Sequence, residues 1–141
     1  MCGRFTQRYT WREIHELYSL TGAARNLQAR YNIAPTDSVD VVKPADGGAP
    51  ELVPMRWGLI PYWWKKPVKQ LPATFNARAE GVASKPIFRD AFRRHQCIIP
   101  ASGYYEWITK ADGKQPFFVS AVDGGALSFA GLWDRWKNPD R

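Results

Sequence analysis

Residues 96–109 read QCIIPASGYYEWIT, and this stretch decides the fold class. QCIIP is an apolar run ending at Pro100, and GYYEWIT is dense in aromatic and β-branched residues. Turn formers stand between them, so two short strands separated by a break are expected, with no room for a helix. The same grammar extends outward. PFFVSAV (116–122) and ALSFAGLW (126–133) read as further strands, with KADGKQ (110–115) and VDGG (122–125) as hairpin turns. Upstream, SVDVVKP (38–44) alternates and is followed by the loop residues DGG, while ELVPMRWGLIP (51–61) reads as a strand broken at Pro54.

Helices are fewer. Thr10, Trp11, Arg12 and Glu13 form a capping-box pattern, with Ile14, Leu17 and Tyr18 at helical spacing and Gly22 as the stop. A second helix is expected over 84–95, with Ile87, Phe88, Ala91 and Phe92 on one face and Arg89, Arg93 and Arg94 on the other. The expected class is therefore α+β and strand-dominated, with antiparallel sheets curled into a barrel-like core and two flanking helices. At 141 residues the chain reads as a single domain. Its polar end after AGLWD suggests that a C-terminal part is missing.

Composition narrows the function. The chain is 45% hydrophobic and 14% aromatic, which excludes a disordered segment. No apolar run approaches the ~18 residues needed to cross a bilayer, so no membrane partner is expected. Net charge is +7, Arg outnumbers Lys, and there are seven Trp. Positive charge interleaved with rings suits a nucleic-acid surface. The two cysteines, Cys2 and Cys97, fit no CxxC pattern, which points to a reducing, cytoplasmic compartment. Cys97, in a core strand, reads as an inert thiol. His95 and Cys97 alone make a poor zinc site, so no metal is expected. His15 reads as a surface residue.

Cys2 is unusual by position. Once Met1 is removed, Cys2 carries an α-amine (pKa about 7.7–8.0) and a thiol (about 8.5) on adjacent carbons. Such a 1,2-aminothiol can close a five-membered ring on an aldehyde. Further along, RYNIAP (30–35) and RWGLIPYWW (56–64) combine polar groups or rings with turn formers. In FNARAE (75–80) a strand would present Asn76, Arg78 and Glu80 on one face. In GYYEW (103–107) Glu106 sits among rings, a setting that raises a carboxyl pKa toward general-acid use.

Taken in order, MCGRF, YNIAP, RWGLIPYWW, NARAE, CIIPASGYYEW, KQPFF and AGLWD resemble the SOS-response-associated peptidase (SRAP) family over residues 2–134. The resemblance implies a sensor of abasic sites in single-stranded DNA, without a cofactor; a monomer in the cytoplasm, nucleoid-associated when acting on DNA, is expected. It implies that the Cys2 amine forms an imine with the abasic aldehyde and that the thiol closes a thiazolidine, leaving a covalent DNA–protein crosslink. It assigns Asn76 to orienting the reacting groups and Glu106 to proton transfer. Arg78 and Arg4 would hold phosphates, and Pro35, Trp63 and Trp64 would wedge and stack the bases beside the lesion. The family histidine in a His-x-Arg-x-Pro stretch has no counterpart here, and neither His15 nor His95 inherits it. A second phosphate-binding Arg after NARAE is likewise unmatched, Lys85 and Pro86 standing there. Two alternatives stay open: an N-terminal-nucleophile thiol (auto)peptidase, and a single-stranded DNA-binding module without complete chemistry.

Overall fold

The computed structural model describes residues 2–141. Within them the order is β1 (Phe5–Gln7), α1 (Trp11–Tyr18), β2 (Arg30–Ile33), β3 (Ser38–Pro44), β4 (Pro50–Arg56), a 3-10 turn (Val68–Gln70), α2 (Arg89–Arg94), β5 (Gln96–Ala101), β6 (Gly103–Lys110), β7 (Gly113–Val119) and β8 (Leu127–Leu132). The strands form two four-stranded antiparallel sheets, ordered β2-β1-β6-β7 and β4-β3-β5-β8. No helix among the described residues is long and apolar enough to cross a membrane.

The stretch 96–109 is where the chain changes sheets. β5 pairs with β3 and β8, whereas β6, one residue later, pairs with β1 and β7. Ser102 makes the step, its amide donating to Thr6 O at 2.9 Å and its hydroxyl lying 2.7 Å from Thr6 Oγ1. Buried Gln7 ties the sheets together, donating to Asp40 O (3.0 Å) and Pro100 O (2.9 Å) while accepting from Asp40 N (3.1 Å). A buried amide with both N–H groups and its oxygen partnered offsets most of its desolvation and fixes the relative placement of β1, β3 and β5. Phe5 and Ile33 from one sheet pack with Val39, Val41 and Ala101 from the other, and Trp57 closes this core. A second cluster, Tyr9, Ile14, Leu20, Val42 and Leu52, lies under α1.

Several expectations change in the fold. The sheets do not close into a barrel: β2 and β7 end one sheet, and β4 and β8 end the other. VDGG is no hairpin turn, because β7 and β8 belong to different sheets and the turn carries the chain between them. Pro54 does not break its strand. It pairs with Asp40 inside β4, an edge strand, and an edge accommodates a residue without an N–H on its unpaired side. The capping box is present at both contacts, but α1 stops at Tyr18 because Ser19 adopts a left-handed φ of 53°, before Gly22 is reached. α2 is confined to Arg89–Arg94, and residues 81–88 wind through turns, with Pro86 denying the backbone a donor. Phe88 and Ala91 are buried as expected. Gly103 cannot be larger, since a Cβ there would lie 2.2 Å from Phe118 Cζ and 2.8 Å from Val119 O.

Candidate active site

The extreme N-terminus is laid against β6. Phe5 pairs with Tyr104, and Tyr105 N donates to Arg4 O at 3.0 Å, so residues 2–4 continue alongside the strand that carries Glu106. Alternation on β6 then sorts its side chains. Tyr104 and Glu106 face the cleft where Cys2 lies, while Tyr105 packs on Phe118 of β7 with ring centroids 5.0 Å apart. Tyr104 in turn meets Phe129 of β8 edge-to-face at 5.8 Å.

Asn76 arrives by a different route. Residues 75–80 form no strand, so the expected common face of Asn76, Arg78 and Glu80 does not exist. The segment is pinned by backbone contacts instead. Trp57 Nε1 donates to Phe75 O (2.7 Å), and Leu59 N donates to Thr74 O (3.3 Å). Beyond these pins Asn76 Nδ2 donates to Cys2 O at 2.5 Å, across 74 residues of sequence. The result is one cleft of about 1480 Å³ that Cys2, Asn76 and Glu106 share.

The Cys2 thiol is half-buried, with Sγ 3.4 Å from Arg4 O. Burial pushes its pKa above the ordinary thiol range and the Glu106 carboxylate adds to the rise, while hydrogen bonding with the Arg4 backbone works against both. The thiol is therefore held protonated at neutral pH more firmly than a free cysteine. Cys97 borders the same cleft, and burial pushes it up to about 12, as an inert core thiol requires.

The residues assigned to DNA fall into two groups. Arg4 is half-buried and donates through Nη1 to Asn32 Oδ1 at 2.9 Å. Arg78 is exposed, between Ala77 and Ala79 of the cleft wall. Pro35, Trp63 and Trp64 are not among the residues that line the cleft. Pro35 sits in a turn tied to Trp57 by Thr36 N to Trp57 O (2.8 Å) and Trp57 N to Asp37 O (2.8 Å). Trp63 is 36% exposed, and its ring centroid lies 6.1 Å from that of Trp64. His15 is exposed on α1 beside Trp11. Met1, whose removal the expected imine chemistry of Cys2 would need, lies outside the described residues.

Two parts of the site went unread in the sequence. Tyr104 and Phe129 wall the cleft, and the period-2 alternation of GYYEW already placed Tyr104 on the side of Glu106. Residues 133–136, the end of the expected strand and the start of the polar end, also line the cleft. No local pattern announces that, because their contacts reach back to residues 62–64 and 95.

Comparison with known proteins agrees with this architecture. The family model described as SOS response associated peptidase (SRAP) matches residues 1–141. The chain is 35% identical over 144 residues to the abasic site processing protein YoqW of Bacillus subtilis (strain 168), covering 99% of this chain and 63% of the relative. It is 33% identical over 138 residues to the abasic site processing protein YedK of Escherichia coli (strain K12), covering 94% and 59%. A crystal structure of a Bacteroides thetaiotaomicron protein superposes with a TM-score of 0.85 at 25% identity, covering 99% of this chain and 62% of that one. The chain thus spans less than two thirds of the length of these relatives. By its full-length match to that model and its identity with these relatives, the chain belongs to the SRAP family.

Proposed function

We propose that this chain recognises abasic sites in single-stranded DNA and, once Met1 is removed, attaches to them through Cys2. The observation that carries the reading is the meeting of Cys2, Asn76 and Glu106 in one cleft, with Asn76 2.5 Å from the Cys2 carbonyl. Pockets for small molecules usually enclose about 300–1,000 Å³. This cleft, at about 1480 Å³, suits a segment of a polymer better.

The chemistry follows from the groups present. The Cys2 amine adds to the C1′ aldehyde of the opened abasic sugar and water leaves, giving an imine. Cys2 Sγ then forms the S–C1′ bond, the C=N π pair moves onto nitrogen, and the thiol proton ends there. The product is a thiazolidine, and one water is the only loss. Asn76, bonded to Cys2 O, fixes the rotation of the residue that supplies both nucleophiles. Glu106 moves protons in the dehydration and addition steps. No cofactor takes part. The free thiols of Cys2 and Cys97 suit the reducing conditions of the cytoplasm. The peptidase alternative, with Asn76 as oxyanion donor, is disfavoured because Asn76 binds the carbonyl after Cys2, whereas release of Met1 would need a donor on the carbonyl before it.

The test is a denaturing gel after incubation with a strand bearing one abasic site. A shifted band, absent with intact DNA, is expected. Release of a peptide with no DNA adduct would favour the peptidase. Binding that salt and denaturant abolish would favour a module without chemistry.

Phosphate contacts by Arg78 and Arg4 predict steep salt dependence, about 0.7 counterions released per contact on a single strand. Arg78→Ala is expected to weaken binding and lower the slope of log K against log salt by about that amount, read by fluorescence anisotropy. An unchanged slope removes Arg78 from the interface. Arg4 should matter less per contact, because Asn32 already takes one of its N–H groups.

A further inference from the structure

Residues 133–136 do more than end the last strand. Trp133 N donates to His95 O (2.9 Å), and the two rings stack at 4.1 Å and 24°. Lys43 Nζ lies 5.1 Å from the centroid of the same indole. The next residue, Asp134, buries its carboxylate, with the side chain 5% exposed. Both oxygens are engaged by backbone donors: Oδ2 accepts from Tyr62 N (2.9 Å) and Oδ1 from Arg135 N (2.7 Å), with His95 Nδ1 3.7 Å away. Two residues on, Trp136 Nε1 donates to Trp64 O at 2.8 Å.

The chain just before and just after Trp63 is therefore held from one place. Tyr62 is fixed through its amide and Trp64 through its carbonyl, both by residues 134–136. Trp63 itself stays exposed between those two fastenings. A carboxylate is taken out of water only where its charge is well compensated, and a charge-assisted bond to a loop amide is the strong kind. Such an arrangement would be an odd use of a buried charge if the loop were free to take any shape.

We propose that residues 134–136 are a latch, with Asp134 as a positioning residue that holds the Trp63–Trp64 ledge in the conformation that stacks DNA bases. The proposal rests on the reading in which Trp63 and Trp64 contact bases. Asp134 touches no DNA in it; it acts through Tyr62 and Trp64.

Removing a negative charge from a DNA-binding protein should by itself tighten binding. Asp134→Asn is expected to do the reverse, weakening binding of an undamaged oligothymidylate about five- to a hundredfold, the range that a lost base–ring stack gives. It should also speed exchange of the Tyr62 amide hydrogen about tenfold or more, read by NMR. Trp136→Phe, which removes the other fastening and leaves the Tyr62–Asp134 bond in place, is expected to weaken binding in the same way without freeing the Tyr62 amide. It carries the test if Asp134→Asn fails to fold. In a Trp63→Ala/Trp64→Ala background neither substitution should weaken binding much further, because the group being positioned is gone. If they weaken binding there by the same factor as in the unmodified chain, or if the Tyr62 amide is freed with no change in binding, the latch is wrong and base stacking stands. If Trp63→Ala/Trp64→Ala leaves binding unchanged, base stacking falls, and the latch falls with it.

Discussion

A chain that keeps Met1 is expected to form no denaturant-stable adduct with an abasic strand, while binding that strand nearly as well as the processed chain. With Met1 attached, the nitrogen of Cys2 is an amide whose lone pair is delocalised into a carbonyl. It cannot condense with an aldehyde, and the thiol alone reaches only a reversible hemithioacetal. The contacts proposed for phosphates and bases, Arg78, Trp63 and Trp64, are untouched by one residue at the terminus. Loss of the denatured adduct should therefore be complete, with a change in Kd of no more than a few-fold. Cys2→Ala with a free terminus falls between the two: an imine that borohydride traps, but no ring. Intact-mass measurement identifies the terminus in each sample. A stable adduct from a sample that is all Met1-bearing would remove the thiazolidine chemistry.

Local patterns in this chain carry information about single elements. β3 is legible as Ser38–Pro44, because an alternating run that ends at Lys43 and Pro44 just before DGG leaves little choice. The capping box placed the start of α1 for the same reason. What failed were statements about partners. VDGG looks like a hairpin turn whether its flanking strands share a sheet or not, and here β7 and β8 do not. Pro54 is a breaker only in a strand paired on both sides, and nothing local marks β4 as an edge. FNARAE alternates like a strand, yet its backbone is held at Phe75 by Trp57 Nε1 and just before it, at Thr74, by Leu59 N. Cys2, Asn76 and Glu106 could be named from the family resemblance. Their convergence could not be derived from spacing, since 74 residues separate the first two. The segment 133–136 is the same case. Nothing local says what Trp133, Asp134 and Trp136 meet, and only the fold brings Tyr62, Trp64 and His95 to them.

Replacing Glu106 by Gln is expected to change two measurements in opposite directions. Glu106 lies on the face of β6 that lines the cleft, and its charge helps to raise the Cys2 pKa. The sign follows directly. A carboxylate disfavours a second negative charge, so its loss lowers the thiol pKa and increases the thiolate fraction at a given pH. Alkylation of Cys2 by iodoacetamide depends on thiolate, so its pH midpoint should move down in Glu106→Gln and its rate at pH 7.5 should rise. The comparison needs chains with the same N-terminus, because a free ammonium on Cys2 shifts the thiol as well. Crosslink formation should move the other way. Gln keeps the shape but cannot exchange a proton, and general acid–base groups contribute about 10²–10⁴-fold. The adduct should therefore form more slowly by up to that factor, although the thiol has become the better nucleophile. A purely electrostatic Glu106 would make both reactions faster, and a purely structural one would lower the melting temperature and disturb both without regard to pH. Faster alkylation with slower crosslinking is the result that only a proton-transferring carboxylate beside Cys2 gives.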